Sequence, residues 1–356
     1  MMKLSLLISA TVLSFLSVAF GVPLAKKYLL SSGIYGKDQQ KPRKPKIATS
    51  GGIVVLFGVL FSTMAVIGLG KILQAGIQNE LVLASVCSIN IITLIGLIDD
   101  IHVGEGIEND QSSSNRLFEI MDVFGDQVEF NDPDIDRVGL SQLSKMIFVL
   151  PAVFPLMAVG AGSWTMNFPV VGVIEWGLIY PLILLPLGLL FVANVVNMLA
   201  GTNGLSAGMS LIAALGLGTF ALLNGRIEAA LIGFSLSGAL LGFLIYNWYP
   251  ASILPGDSLT YLCGAALFST MVLGDMEKFG VFIFAPWFLE FFLKARNRFD
   301  AHSWGLLEGN ELKNQHESIY SLTHVFMDRG MDEKEITASL IALEVFIVLL
   351  GLVLFL

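Results

Sequence analysis

The chain alternates long apolar runs with short polar interruptions, and the length of each run decides what it forms. Runs at 4–24, 52–70, 81–98, 146–162, 177–196, 206–223, 228–246, 258–274, 279–294 and 336–356 carry few charges and are bounded by Gly, Pro, Asn or charged residues. A helix needs about 20 mainly apolar residues to cross ~30 Å of hydrocarbon. The expected fold class is therefore an all-α polytopic membrane protein with about ten transmembrane helices. The first run resembles a secretory signal in place and polarity, but it is long for one and runs directly into Lys26 and Lys27, so it is read as a retained helix.

Three of the interruptions carry chemistry. Asp99 and Asp100 close the run at 81–98. The stretch 194–208 contains Asn194, Asn197 and Asn203 with Gly201 and Gly204. The turn at 247–256 holds Pro250, Pro255 and Gly256 and is followed by Asp257. Carboxamides on a glycine-rich turn at a membrane edge suit a hydrated ligand such as a phosphate or sugar. Two unit charges ~4 Å apart repel by about 4 kcal/mol at an effective dielectric of ~20. A cation beside Asp99 and Asp100 relieves that, and Mg²⁺ fits because it is commonly held by one or two carboxylates together with substrate phosphates. Asp257 stands at the start of the next run, where a helix gathers anions and donors.

Charge then orients the runs. Lys26, Lys27, Lys37, Lys41, Arg43, Lys44, Lys46, Arg116, Arg137, Lys145, Lys294, Arg296, Arg298, Lys313, Arg329 and Lys334 fall in one set of alternate loops, whereas the other set has only Lys3, Lys71, Arg226 and Lys278. The excess marks the cytoplasmic side. Both termini are then extracytoplasmic, and all three polar turns face the cytoplasm. The whole chain, 1–356, reads as a single membrane domain. An acidic cytoplasmic insertion at 101–144 carries a helically spaced apolar face (Leu117, Ile120, Met121, Phe124), and a second cytoplasmic loop spans 295–335. Glu290 and Glu344 lie inside apolar runs; Glu290 has Lys294 at i+4, and Glu344 is expected to be buried or neutral. On the outer side, Trp164, Phe168, Pro169 and Trp176 suit interfacial anchoring.

Composition narrows the class further. The chain is 55% hydrophobic and 14% charged, against about 25% charged in soluble domains. Its formal charge of −9 belongs to loops, and no basic patch with interleaved aromatics points to nucleic acid. Cys87 and Cys263 both fall inside apolar runs, so no disulfide framework is expected.

In four motifs taken in order, Lys41-Pro-Arg-Lys-Pro-Lys-Ile47 before Gly51-Gly52, Gly96-Leu-Ile-Asp-Asp100, the asparagine turn 194–208, and Asn247-Trp-Tyr-Pro250 with Pro255-Gly-Asp257, the sequence resembles the polyprenyl-phosphate N-acetylhexosamine-1-phosphate transferases. Leu199-Ala200-Gly201 and Asn203, where bacterial members usually carry aspartates, make it most similar to the eukaryotic and archaeal UDP-GlcNAc:dolichyl-phosphate GlcNAc-1-phosphate transferase branch. That branch often has Ile-Pro-Glu before its second helix, where this chain has Ile47-Ala48-Thr49.

The resemblance implies transfer of GlcNAc-1-phosphate from UDP-GlcNAc to dolichyl or another polyprenyl phosphate, with release of UMP, as the first membrane step of lipid-linked oligosaccharide (N-glycan) synthesis. It implies Mg²⁺, or Mn²⁺ in its place, held by Asn197 and Asp257, with Asp99, Asp100 and Lys145 in catalytic roles. It implies substrate binding by Asn194, Gly201, Asn203, Arg296, Arg298 and His302. The setting would be the plasma membrane of an archaeon or the endoplasmic reticulum of a eukaryote, and a homodimer is left open. The same chemistry on another UDP-N-acetylhexosamine is one alternative. A secondary carrier is another, although its acids would sit near the bilayer midplane and here they gather at one face.

Overall fold

The computed structural model describes residues 1–101, 147–168, 172–309 and 311–356. Eight of its helices are long and apolar enough to cross a membrane. They are α1 (Met2–Ser31), α2 (Gly52–Ile72), α3 (Asn79–Ile101), α5 (Tyr180–Met198), α6 (Leu205–Leu223), α7 (Ile227–Asn247), α8 (Gly256–Leu273) and α12 (Glu333–Phe355). Between α3 and α5 lies the shorter apolar helix α4 (Ile147–Ala158). The chain is thus an all-α, multi-pass membrane protein.

The expected span at 279–294 is not one rod. It is broken into α9 (Glu277–Ile283) and α10 (Ala285–Ala295), meeting at Phe284, with Pro286 in the first turn of α10. A proline there lacks the amide that would continue the preceding helix. The first helix runs seven residues beyond the expected end at Leu24, carrying Lys26 and Lys27 with it.

Packing centres on α8, which is buried along almost its whole length and lies against α2, α3, α5, α6 and α7. Glycines permit the closest approaches. A Cβ on Gly52 of α2 would overlap the backbone at Ser258 and Leu259, and one on Gly96 of α3 that at Asp257 and Ser258, so two helices press on the first turn of α8. On the other side α1 packs along α7, where a Cβ on Gly238 or Gly242 would strike the α1 backbone at Thr11 and Phe15. The last helix, α12, lies on α6 through Ile341 against Gly208 and Val348 against Gly216.

Alternate loops therefore collect at two ends of the bundle. One end is joined by the Arg226–Asp275 ion pair at 2.6 Å, the Tyr180 hydroxyl on Glu277 at 3.0 Å and the Gln78 amide on Glu228 at 2.8 Å. The short hairpin of β3 (Thr165–Phe168) and β4 (Gly172–Glu175) joins Trp164 to Trp176 through a backbone hydrogen bond of 2.8 Å. The opposite end carries every polar turn singled out above that falls among the described residues. There β1 (Tyr35–Lys37) pairs antiparallel with β2 (Lys46–Ala48), and Ala48 bridges on to Ile253 in the proline-rich turn.

Candidate active site

The polar turns meet because the first turn of α8 is held from three directions. Gly51 and Gly52 at the start of α2 donate their amides to the carbonyls of Leu254 and Pro255 at 3.1 and 3.3 Å. Leu254 in turn donates to the Ala48 carbonyl at 2.7 Å, and the Asn247 carboxamide donates to that of Ile253 at 2.9 Å. From α3, the Asp100 carboxylate accepts from the backbone N–H groups of Asp257 (2.7 Å) and Ser258 (3.2 Å). These are among the amides that a helix start leaves without an internal partner.

Asp257 was expected just ahead of the helix; it lies inside the first turn, since α8 begins at Gly256. Gly256 has φ of +68°, and a Cβ there would run into the Asp100 carboxylate, so this position needs both the left-handed backbone and the missing side chain. From α5, Asn197 completes the group: its Oδ1 accepts from the Thr260 hydroxyl at 2.9 Å, which also lies 3.1 Å from the Asp257 carbonyl. Asp99, Asp100, Asn197 and Asp257 are thus brought to one end of the bundle by α3, α5 and α8.

Among the described residues no three His, Cys, Asp or Glu side chains form a cage that would hold a metal unaided. The donors at this end are hard oxygens, the kind Mg²⁺ takes while keeping water and substrate phosphates in its shell, so the residue types fit such an ion.

Beside this turn lies a polar cleft of about 120 Å³ lined by Asp38, Gln40, Gly201, Asn203, Asn247, Trp304 and Glu333, among others. Asn203 is fixed twice: its backbone amide donates to Glu333 Oε1 at 2.8 Å and its Nδ2 to Asp38 Oδ2 at 2.9 Å. Lys41 pairs with Glu333 and lies 3.3 Å from Asp38, and its ammonium stands 4.4 Å above the Tyr249 ring. The Gln40 carboxamide donates to the Gly201 carbonyl at 2.5 Å. Gly201 itself has no room for a side chain, because the Ser303 backbone lies against it.

The loop at 295–335, which carries Arg296, Arg298 and His302, is built around Glu290, which is 0% exposed. Glu290 accepts from the Ser303 hydroxyl (3.2 Å), the Ser321 hydroxyl (2.8 Å) and the Leu322 amide (2.7 Å). Its expected partner Lys294 is 3.9 Å away and donates to the Ala301 carbonyl at 2.7 Å. A hairpin of β5 (Leu306–Glu308) and β6 (Glu311–Lys313), followed by α11 (Leu322–Met327), brings His302, His316 and His324 together.

The rings of His316 and His324 are 5.4 Å apart, and His302 stacks on Trp304 at 5.1 Å. His324 Nδ1 accepts from the Tyr320 amide, and its Nε2 is 2.8 Å from the His302 carbonyl, which assigns the proton to Nε2. Burial, first, holds the pKa of His324 down to about 4. His316 is shifted in the same direction, with burial again the largest cause.

Other predicted residues lie less centrally. Asn194 donates to the Leu190 carbonyl of its own helix at 2.7 Å. Arg296 and Arg298 are exposed; Arg296 stands 5.9 Å over the Tyr320 ring. Lys145 and the apolar face of the acidic insertion lie outside the described residues. Sequence reasoning did not single out Asp38, Gln40, Thr260, Trp304, Glu333, His316 or His324. The nearest signal was the charge run around Lys41, which marks the strand pair but not which of its polar neighbours turns inward.

An apolar cavity of about 200 Å³ opens beside the α9–α10 break, lined by Phe191, Phe268, Phe284 and Phe288. Tyr180 and Glu277 also line it, so the cavity lies toward the end of the bundle opposite the polar turns.

The family described as Glycosyl transferase family 4 matches residues 82–275. A protein of Sulfolobus acidocaldarius, provisionally named a UDP-N-acetylglucosamine–dolichyl-phosphate N-acetylglucosaminephosphotransferase, is 30% identical over 96% of this chain and 93% of its own length. One of the same name from Saccharolobus solfataricus is 29% identical over 89% and 85%. A phospho-N-acetylmuramoyl-pentapeptide-transferase of Shouchella clausii is 28% identical over 72% and 70%.

Proposed function

Because the chain belongs to Glycosyl transferase family 4, a membrane phosphotransferase family acting between sugar nucleotides and polyprenyl phosphates, we propose that it transfers GlcNAc-1-phosphate from UDP-GlcNAc to dolichyl or a related polyprenyl phosphate. The product is GlcNAc-diphosphate-lipid, the first membrane step of lipid-linked oligosaccharide synthesis. The observation that carries the reading is the convergence of Asp99–Asp100, Asn197 and Asp257 on the first turn of α8, beside a polar cleft. The names of the archaeal relatives favour UDP-GlcNAc and a dolichyl acceptor.

In this reading a lipid-phosphate oxygen attacks the sugar-bearing phosphorus, the bond from that phosphorus to the bridging oxygen breaks, and UMP leaves. Both Asp100 oxygens already accept backbone hydrogen bonds, so Asp99 is assigned to take any proton on the attacking phosphate and Asp100 to hold the Asp257 turn. Asn197 and Asp257 would hold Mg²⁺, which supplies charge neutralisation on the diphosphate. Lys145, at the cytoplasmic start of its run, is proposed as a further cation for the diphosphate, and the loop residues Arg296, Arg298 and His302 for its sugar-phosphate end. The polar end of the bundle is assigned to the cytoplasm on the excess of Lys and Arg in its loops.

The test is product analysis by mass spectrometry of detergent-purified protein with Mg²⁺, dolichyl phosphate and UDP-GlcNAc. Release of UMP with GlcNAc-diphosphate-dolichol, lost with EDTA and in Asp257→Ala, is the expected result. Turnover only with another UDP-sugar or a shorter polyprenyl phosphate would overturn the substrate choice and keep the reaction. No turnover with any donor and acceptor pair would overturn the reading.

A further inference from the structure

The segment that carries His302 is held by its backbone. Three successive carbonyls are each taken by a side-chain donor: that of Ala301 by the Lys294 ammonium at 2.7 Å, that of His302 by His324 Nε2 at 2.8 Å, and that of Ser303 by the Thr323 hydroxyl at 2.5 Å. Burial alternates along the same segment. Ala301, Ser303 and Gly305 are buried, whereas His302 and Trp304 are partly exposed and stack on one another, and Trp304 lines the polar cleft. The inward residues are clamped, and the outward pair is what the clamp presents.

Ser303 also ties the segment to the asparagine turn. Its hydroxyl lies between the Met198 carbonyl (2.9 Å) and Glu290 (3.2 Å), and its backbone is so close to Gly201 that a Cβ there would overlap it. On the other side Glu290 fixes the start of α11 by accepting from the Ser321 hydroxyl and the Leu322 amide, and α11 carries Thr323 and His324 in its first turn. Thr323 is 0% exposed, so its hydroxyl works on Ser303 and not on a ligand.

We propose that Thr323 is a positioning residue for the donor substrate: acting through Ser303, its hydroxyl sets the 301–304 segment against the 199–204 turn and so holds His302 in place at the cleft. The inference rests on the proposed UDP-sugar donor and on His302 serving its sugar-phosphate end. It adds what fixes His302 there. Thr323→Val replaces the hydroxyl by a methyl of nearly the same size and leaves the Ser303 carbonyl without its donor, whereas Thr323→Ser keeps the hydroxyl.

The experiment measures kcat and KM for UDP-GlcNAc and for dolichyl phosphate on the full-length protein in detergent, with thermal unfolding alongside. Thr323→Val is expected to raise KM for the donor by roughly 3- to 10-fold, the scale of one hydrogen bond, and to leave KM for the lipid acceptor unchanged. Thr323→Ser is expected to restore the donor KM. In a His302→Ala background Thr323→Val should raise the donor KM no further, because the residue it positions is gone. A merely structural role for Thr323 would shrink the folded fraction, which lowers kcat and leaves both KM values where they were. If Thr323→Val does not fold, Thr323→Ala removes the same hydroxyl with less bulk and gives the same comparison.

An unchanged donor KM, an equal rise for donor and acceptor, no recovery in Thr323→Ser, or a full further loss in the His302→Ala background overturns the proposal and leaves the proposed reaction standing. Where the wild type uses a different UDP-sugar, the same KM comparison with that donor decides. A wild type that turns over no UDP-sugar overturns both.

Discussion

The Asp100 carboxylate caps the helix that carries Asp257: it accepts from the Asp257 amide at 2.7 Å and from the Ser258 amide at 3.2 Å. Two residues 157 positions apart in the chain are thereby locked into one turn, and Asp99 and Asp100 acquire different tasks despite being neighbours. Asp100→Asn keeps one acceptor and turns an N–H toward the amides. It is expected to destabilise the protein by about 1–2 kcal/mol, the scale of a lost cap, and to reduce turnover with it. Asp99→Asn is expected to reduce turnover by about 10²- to 10⁴-fold, the range for a lost proton acceptor, with a smaller fall in melting temperature than Asp100→Asn. Thermal unfolding in detergent, measured beside turnover, separates the two. Equal stability loss in both variants would refute the division of labour.

The same turn depends on two glycines from different helices. A Cβ at Gly52 or Gly96 would overlap the backbone of residues 257–259, and backbone cannot swing aside as a flexible side chain can. Gly52→Ala and Gly96→Ala should each cost about 1–3 kcal/mol, the range for overpacking, and should lower activity even at temperatures where the fold persists. Gly68→Ala, on the same helix as Gly52 but with open space at its Cβ, is the control and should leave both unchanged. A melting temperature that does not fall in Gly52→Ala or Gly96→Ala would mean that α8 is free to move away from its neighbours.

The parts legible in the sequence were those with a short-range signature. Apolar runs long enough to span showed the helices, and Asp99, Asp100, Asn197 and Asp257 were visible as polar residues at run ends. The break at Phe284 was not legible, because the apolar run at 279–294 continues through it and the interrupting Pro286 is compatible with either a kink or a new helix start. Asp38 and Glu333 were missed for a different reason. Asp38 sits in a polar loop and Glu333 at the start of α12, both places where an acid is ordinarily solvated, and only the meeting of the loop after β1, the 199–204 turn and α12 buries them against Asn203. His316 and His324 were likewise separated from His302 in the chain, and the β5–β6 hairpin closes that gap.

Lys41 and Glu333 form a buried ion pair at the cleft, with Asp38 3.3 Å from the same ammonium. Lys41→Met leaves two carboxylates facing one another with no cation between them, and a buried charge stripped of its partner destabilises by about 3–5 kcal/mol. Adding Glu333→Gln removes one of the two charges. The double variant is therefore expected to be more stable than Lys41→Met alone, which a double-mutant cycle on unfolding free energies reads directly. Additive losses would show that Lys41 and Glu333 act independently.

His324 makes the last loop sensitive to acid. In the folded protein burial holds its pKa to about 4, against an ordinary value of 6.5. The neutral ring, accepting at Nδ1 and donating at Nε2 to the His302 carbonyl, is the form the fold stabilises. The sign follows from linkage: a group that binds its proton less readily when folded stabilises the fold above its unfolded pKa, and that stabilisation is lost as pH falls toward the folded value. Between about pH 6.5 and 4 the loop at 295–335 should loosen progressively, with Lys294, His316 and Asp328 as the charged or titratable neighbours acting on the ring. Protonating Nδ1 also sets a donor against the Tyr320 amide, which is a donor already. Limited proteolysis across this range should show cleavage within 295–335 rising as pH falls, at pH values where the transmembrane helices stay intact. His324→Gln keeps a donor and an acceptor without a titrating proton and should flatten the profile. A profile as steep in His324→Gln as in the wild type would place the acid sensitivity on another group.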